Sequence, residues 1–188
     1  MTDPTQQSDP APDTTATDRS ETPEEEPITL LLVEPNSGCA ELFAAFAARA
    51  DGQFRVNAVG QLADALDAVA AGVKRDDEWV AVDCVVTENR LQQGSGVELV
   101  SRLRERGDEV PVVFHTTCPS DDAEAAAFEA GADAYFEKDA ERGRYAALLD
   151  RARSLVEERG PRNRRPEPEV AARPGALSKT GATLLSEE

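Results

Sequence analysis

Between residues 27 and 159, short apolar runs alternate with longer stretches in which apolar residues recur at helical spacing. A short apolar run bounded by turn residues is typical of a buried parallel strand, whereas spacings of three and four residues indicate an amphipathic helix. The pattern predicts five strands, at 27–34, 53–59, 80–87, 110–116 and 133–137. It predicts five helices between and after them, at 37–52, 61–72, 96–107, 120–131 and 140–159.

This alternation predicts an α/β fold: a doubly wound, five-stranded parallel sheet with helices on both faces. We expect the flavodoxin-like strand order 2-1-3-4-5, counting the predicted strands along the chain. Ligands of such sheets bind beyond the carboxyl ends of the strands. The polar side chains expected at that edge are Glu34, Glu88, Thr116 and Lys138.

The third predicted strand is apolar from Trp79 onward, with Asp83 as its only interruption before Thr87 and Glu88. A strand buried on both faces thereby delivers a carboxylate to the expected site. The sequence after the first strand, VEPNSGCAE, matches neither glycine-rich phosphate-binding motif, which disfavours a nucleotide site. His115, the single histidine, lies inside an apolar strand and is predicted to be a packed residue rather than a ligand.

The segments that flank the alternating region differ from it in composition. Residues 1–26 are acidic and rich in Thr, Pro and Ser, and residues 160–188 contain many Pro and Arg, so both are predicted to be disordered tails of one domain, 27–159. Acids outnumber bases by 37 to 20, and the net charge of −17 argues against a nucleic-acid partner. Abundant acids with scarce Lys resemble the proteins of salt-in halophilic archaea; the alternative is a merely acidic mesophilic protein.

Three cysteines without a CxxC pair indicate small buried side chains in a reducing compartment. No apolar run reaches the roughly 18 residues that cross a bilayer, and the first residues lack the basic and apolar regions of a signal peptide. We therefore expect a cytoplasmic protein without membrane contact.

One stretch, PVVFHTTCPSDDAEAAAFEAGADAYFEKD, carries a family resemblance, and AGADAYFEK is its most specific part. Together with the spacing from Asp83 through Glu88 to Gly96, it resembles the receiver domain of two-component response regulators, the CheY-like family, over roughly 27–159. In that family an Asp after the third strand accepts a phosphoryl group from a histidine kinase. A pair of acids binds Mg²⁺, a Lys offsets charge, and a hydroxyl and an aromatic side chain reorient in response.

The resemblance implies a role for six positions. They are the phosphoacceptor-equivalent Glu88, the pocket acid Glu34, the switch hydroxyl Thr116, the switch aromatic Tyr135, the pocket base Lys138 and the loop glycine Gly96. Thr117 is the alternative switch hydroxyl if the register is shifted by one residue.

The sequence departs from the family pattern at four positions. The acceptor is Glu88 instead of Asp, and Pro35 replaces the second pocket acid. Gln92 and Asp139 stand where the family usually has Pro. Glutamate reaches roughly 1.5 Å further than aspartate, toward the position of a phosphoryl group, and Lys138 is its natural partner. We expect a degenerate receiver, or pseudo-receiver, without a cofactor, in which Glu34 and Glu88 are at most weak Mg²⁺ ligands.

The function implied is that of a stand-alone receiver-like protein in a phosphorelay, because only 29 residues follow the domain. It is expected to be an interaction module and not an enzyme, with a protein partner such as a histidine kinase or a downstream signalling protein, and to act independently of phosphorylation. Two alternatives remain open: a functional receiver that is phosphorylated on Glu88, and a flavodoxin-like binder of a small ligand.

Overall fold

The structure is a computed structural model, and it describes residues 26–50, 52–117, 120–138 and 143–160. The strands within these ranges are β1 (Ile28–Val33), β2 (Phe54–Val59), β3 (Val73–Arg75), β4 (Glu78–Val80), β5 (Cys84–Thr87), β6 (Arg90–Leu91), β7 (Gly94–Ser95), β8 (Val112–Thr116) and β9 (Ala134–Glu137). The helices are α1 (Ser37–Ala47), α2 (Leu62–Ala71), α3 (Gly96–Glu105), α4 (Asp121–Glu129) and α5 (Gly143–Arg159).

Five strands form one parallel sheet in the order β2-β1-β5-β8-β9. Counted along the chain without the short hairpins, this is the predicted order 2-1-3-4-5, so the predicted fold is confirmed. Alternate residues of β1 point to opposite faces, as the period of a strand requires. Leu31 and Val33 pack with α2, α3 and α4, whereas Leu30 and Leu32 pack with α1 and α5.

Side-chain caps mark the start of three helices. The side chains of Asn36, Ser95 and Ser120 accept hydrogen bonds from backbone N–H groups in the first turns of α1, α3 and α4. Each cap satisfies a donor that the helix itself cannot pair. Gly72 ends α2 at a φ of 83°, a left-handed conformation that favours glycine.

The predicted third strand is wrong in its first part. Glu78–Val80 pairs antiparallel with Val73–Arg75 in a separate hairpin, and only Cys84–Thr87 belongs to the main sheet. The two residues at the hairpin turn, Asp76 and Asp77, have φ values of 43° and 74°, the pattern of a type I′ turn. Such turns match the right-handed twist of the strands that they join.

Trp79 therefore projects from a hairpin and not from the sheet. Its side chain is 55% exposed, so the apolar run that Trp79 opens is not a buried strand at its beginning.

Two aspartates tie the beginnings of neighbouring strands together. The N–H of Thr29 donates to Asp83 Oδ2 at 2.8 Å, and the N–H of Val112 donates to Asp133 Oδ2 at the same distance. Asp133 directly precedes its own strand, as Asp83 does, and each accepts an N–H from the strand beside it. The single polar interruption in the apolar run thus lies at the opposite end of β5 from Glu88.

The predicted tails, 1–26 and 160–188, lie outside the described residues except for Glu26 and Gly160. Among the helices in the described ranges, none is long and apolar enough to cross a membrane.

Candidate functional site

Three strand ends bring the predicted polar residues together at the carboxyl edge of the sheet. The N–H of Glu88 donates to the carbonyl of Val33 at 2.9 Å, so the residue after β5 lies beside the end of β1. The N–H of Lys138 donates to the carbonyl of Thr116 at 2.7 Å, which places the residue after β9 beside the end of β8. Because all these strands run parallel, their last residues meet at one edge, as predicted.

Lys138 lies between the two carboxylates of the site. Its Nζ donates to Glu88 Oε2 at 2.7 Å and also to Glu34 Oε2. The three side chains are only 11%, 6% and 5% exposed, in the order Lys138, Glu88, Glu34. Burial alone would lower the pKa of Lys138, but hydrogen bonds with Glu34 and Glu88, together with their charges, raise it above its ordinary value. The ammonium therefore stays protonated at neutral pH.

The Glu88 carboxylate is enclosed by hydrogen-bond donors. Oε1 accepts from the Thr116 hydroxyl and from the N–H of Asn89 at 2.6 Å, and Oε2 accepts from the N–H of Thr117 at 3.2 Å. Burial would raise the pKa of Glu88, but the bonds from Lys138, Thr116 and Asn89 outweigh it and hold the pKa below its ordinary value. The side chain is thus an anion whose two oxygens both have partners within the protein.

Both oxygens of Glu34 are also bonded, and one of them anchors the start of α1. Oε1 accepts from the N–H of Asn36 at 2.9 Å. Asn36 Oδ1 in turn accepts from the N–H of Cys39 at 3.1 Å and caps the helix. Pro35, between them, contributes no carboxylate. The turn after β1 therefore holds one acid in a fixed orientation toward Lys138.

Tyr135 and Gly96 both lie against Phe114, which belongs to the same strand as Thr116. Tyr135 is half-buried and stacks on Phe114, with ring centroids 5.7 Å apart and planes inclined by 18°. A side chain at Gly96 would have no room, because its Cβ would lie 2.7 Å from the carbonyl oxygen of Glu88 and 2.8 Å from the Phe114 ring. The N–H of Gly96 donates to the carbonyl of Asn89 at 2.8 Å and closes the base of the loop.

A family model described as the response regulator receiver domain matches residues 30–150. This range spans β1 to the middle of α5 and includes the whole cluster. The chain belongs to the response regulator receiver domain family. Receiver domains are modules of two-component signalling that interact with proteins such as histidine kinases.

Solved structures resemble this receiver in fold. A protein described as a response regulator from Chloroflexus aurantiacus has a TM-score of 0.58 at 23% identity, with 70% of this chain and 98% of that chain covered. The unphosphorylated receiver domain of HemR from Leptospira biflexa has a TM-score of 0.56 at 22% identity, with 72% and 98% covered. The receiver domain of Francisella response regulator 1452 has a TM-score of 0.58 at 15% identity, with 71% and 99% covered. No curated protein matches the chain.

The pocket acids fit a divalent metal poorly. Within the described ranges, no group of three or more His, Cys, Asp or Glu side chains is arranged to hold a metal ion. The pocket offers two carboxylates, and both already contact the Lys138 ammonium. Mg²⁺ requires near-octahedral oxygen ligands, so an ammonium already bound between the two acids that the structure describes here is a poor starting point.

The sequence did not predict the backbone donors of the site. The N–H groups of Asn89 and Thr117 carry no side-chain signature, so only the fold brings them to Glu88. His115 is buried against Phe43 and Tyr145, with ring centroids 6.0 and 5.2 Å away, which agrees with its predicted packing role.

Of the two residues that stand where the family usually has Pro, only Gln92 is among the described residues. Gln92 lies beside Gln61 in an isolated parallel bridge, and Gln93 after it adopts a φ of 61°. Asp139 lies outside the described residues, as does Cys118.

Proposed function

We propose that this protein is a phosphorylation-independent receiver in which the Glu88 carboxylate takes the place of a phosphoryl group. Signalling then depends on contact with a protein partner and not on a covalent modification of the chain. The site carries a fixed negative charge that the chain itself supplies.

The donor set around Glu88 is the observation that carries this proposal. The family resemblance assigns a hydroxyl and a Lys to the phosphoryl group, and in this chain Thr116 and Lys138 both donate to the Glu88 carboxylate. Two backbone N–H groups, from Asn89 and Thr117, complete the enclosure. An anion-binding pocket with all of these donors directed at an internal carboxylate has little capacity for an added phosphoryl group.

The imitation is partial in charge and in size. A carboxylate has one negative charge, whereas a phosphoryl group has about 1.5 to 2 near neutral pH. The additional methylene of Glu carries its oxygens roughly one bond length, about 1.5 Å, beyond those of Asp. This extension supports contact with the hydroxyl of Thr116 on the neighbouring strand. The smaller charge is balanced by Lys138 without a metal ion.

Weak Mg²⁺ binding is part of the same proposal. The loss of a carboxylate at Pro35 removes one expected ligand, and Lys138 offsets the charges of Glu34 and Glu88. A metal ion would have to displace this ammonium and pull both carboxylates from their backbone donors. Such rearrangement disfavours an ion that demands regular geometry.

The partner is proposed to be a histidine kinase or a downstream signalling protein. The face formed by α4, β9 and α5 is the candidate surface, and Phe128 on α4 is 45% exposed there. Thr116 and Tyr135 lie on adjacent strands, β8 and β9. These two side chains are the proposed connection between Glu88 and this face. The proposed role is that of an interaction module, not an enzyme.

Incubation with acetyl phosphate and Mg²⁺, followed by intact-mass measurement, tests the proposal. We expect no phosphate on the wild-type protein and none on Glu88→Asp, since Pro35 still denies the metal its second acid. Phosphate should appear only on the double variant Pro35→Asp/Glu88→Asp, in which both departures are reversed.

The opposite result is also defined. A phosphate gained by the wild-type protein and lost on Glu88→Gln would overturn the proposal and make Glu88 a true acceptor. Glu137→Gln is the matched control for that outcome, because Glu137 is an exposed acid at the end of β9. Its phosphate level should equal that of the wild type.

A further inference from the structure

A cavity of about 290 Å³ lies at the edge where the strands begin, opposite to the receiver site. Trp79 on the β3–β4 hairpin forms one wall, and Pro27, Val80 and Ala81 supply further apolar surface. More than half of the Trp79 side chain is exposed, a larger fraction than for the other exposed large apolar side chains of the described residues, Leu42 and Phe128. An exposed indole beside a cavity is a common mark of a binding surface.

The rim of this cavity is acidic. Among the described residues that line it, three are acids, Glu26, Glu78 and Asp83, and one is a cation, Arg75, whose Nε lies 3.7 Å from Asp76 Oδ2. Acids therefore outnumber bases around an aromatic wall. A guanidinium is the group that best fits such a place, because it stacks on indole and pairs with carboxylates.

We infer that this cavity is a docking site for an arginine of the chain's own C-terminal segment, 161–175. The sequence of that segment is PRNRRPEPEVAARPG, and it carries Arg162, Arg164 and Arg165 close together. No other part of the chain has three Arg within four residues. In a protein of net charge −17, it is the clearest cationic match to an acidic cavity.

The position of the last helix supports this assignment. Arg159, the last residue of α5, donates to the carbonyl of Glu109 before β8 and to Asp133 before β9. The helix thus ends at the edge where the strands begin, which is the edge that carries Asp83 and the cavity. The described part of the chain therefore ends, at Gly160, on the same side of the molecule as the proposed site.

The span is also compatible. From β9 to β1 there are three strand spacings, or roughly 14 Å at about 4.8 Å each. Five residues of extended chain cover at most about 17 Å, so Arg164 and Arg165 can reach the cavity from Gly160. The two prolines that flank the cluster, Pro161 and Pro166, favour extended backbone.

The single Trp makes the test specific, because Trp79 is the only indole in the chain. Acrylamide quenching of its fluorescence would be compared between the full-length wild type and the full-length variant Arg162→Ser/Arg164→Ser/Arg165→Ser. We expect the quenching constant to rise roughly twofold in the variant, since docking would cover much of the exposed indole face. Equal constants would overturn the inference.

A matched variant separates docking from net charge. Arg49→Ser/Arg55→Ser/Arg106→Ser removes three exposed Arg, from the turn after α1, from β2 and from the end of α3. Its quenching constant should equal that of the wild type. On the cavity side, Glu78→Lys should raise the constant, whereas Glu41→Lys on α1 should not. A similar rise in the control variants would show a general charge effect and overturn the inference.

Two further measurements identify the occupant. A synthetic peptide of residues 160–175 should lower the quenching constant of the triple Arg→Ser variant toward the wild-type value. Protection by this peptide without any cis effect would assign the cavity to a cationic segment of another molecule and overturn the inference. Protection of the wild type that appears only at tenfold higher protein concentration would assign it to a second copy, with the same consequence.

Discussion

The two edges of the sheet hold charge clusters of opposite composition. At the carboxyl edge one cation, Lys138, lies between two carboxylates. At the edge where the strands begin, one carboxylate, Asp133, lies between two guanidiniums, those of Arg104 and Arg159. In both clusters the minority charge links elements that are far apart in sequence.

The clusters differ in burial and in what the charges bind. Lys138 and its acids are almost wholly buried, whereas Arg104 and Arg159 are 24% and 36% exposed. Arg104 gives most of its donors to backbone carbonyls, at distances from 2.8 to 3.2 Å from Gly131, Asp108 and Val110. At the carboxyl edge the charged groups are therefore buried in a pocket and pair with each other. At the opposite edge the guanidinium groups hold loops in place through their backbone carbonyls.

The pKa directions follow the same contrast. The pKa of Lys138 lies above its ordinary value, because two carboxylates overcome its burial. The pKa of Arg104 lies below its ordinary value, because burial and the charge of Arg159 outweigh the attraction of Asp133. The stability that Lys138 contributes is present below its unfolded pKa and is lost only as pH rises through its raised pKa. Glu88 contributes above its unfolded pKa and loses its contribution as pH falls.

The largest expected effect is that of Lys138→Met. Removal of the ammonium leaves two buried carboxylates without a counter-charge, which should lower the free energy of unfolding by roughly 3–5 kcal/mol. Urea unfolding at fixed salt and neutral pH, followed by circular dichroism, measures the loss. If the variant does not fold, the triple variant Lys138→Met/Glu34→Gln/Glu88→Gln should fold, since it removes all three charges.

Lys74→Met is the matched control for that prediction. Lys74 pairs with Asp77 at 3.3 Å on the hairpin, where both side chains are largely exposed. Exposed ion pairs contribute about 0–1 kcal/mol, so this variant should unfold almost as the wild type does. Equal losses in Lys74→Met and Lys138→Met would refute the contrast between the two edges.

The next effect concerns His115 and acid pH. Burial lowers the pKa of His115 to about 4, and the charge of Lys138 adds to this. The folded state therefore protonates His115 at a lower pH than the unfolded state does. The free energy of unfolding should fall as pH drops below the unfolded pKa of His, near 6.5. The loss due to this residue should reach roughly 2 kcal/mol at pH 5 and level off below pH 4.

Urea unfolding of wild type and His115→Leu between pH 7.5 and 5 isolates this contribution from that of the acids. The stability difference between the two proteins should shift by the predicted amount over the range. Parallel pH profiles would mean that the folded state protonates His115 as readily as the unfolded chain does.

The smallest expected effect belongs to the edge where the strands begin. Arg104→Lys keeps the charge beside Asp133, but an ammonium cannot reach the carbonyls of Gly131, Asp108 and Val110 together. We expect a loss of about 1–2 kcal/mol in urea unfolding, because buried acceptors lose their donors. Arg102→Lys on the same helix, an exposed pair with Glu98, should change stability by less than about 0.5 kcal/mol. A loss in Arg104→Lys as small as this would show that charge alone fastens the loops.

The carboxyl edge was predictable from the sequence, and the opposite edge was not. Glu88, Thr116 and Lys138 each end an apolar run, so the strand pattern and the parallel fold together place them. Arg104 lies on the polar side of an amphipathic helix and has the pattern of a solvated residue. Its partners are backbone carbonyls, which leave no trace in the sequence.

The hairpin at Trp79 was missed for a related reason. The usual signal of a type I′ turn is Asn-Gly or Asp-Gly, and here two aspartates adopt the left-handed conformation instead. In the sequence, only Asp83 separates the apolar residues from Trp79 to Val82 from β5. The pairing of β4 with β3, which removes the first part of the predicted strand from the main sheet, is a property of the fold and leaves no pattern in the sequence.

Gly96 limits which residues the chain can carry after β5. Its missing side chain lets the start of α3 touch the end of β5, and its N–H closes the loop 89–95 onto Asn89. The two ends of that loop are thereby fixed in contact regardless of what lies between them. A larger residue at position 96 would press on the Glu88 carbonyl and on the Phe114 ring, so the place of Glu88 beside α3 depends on a position that only glycine fits.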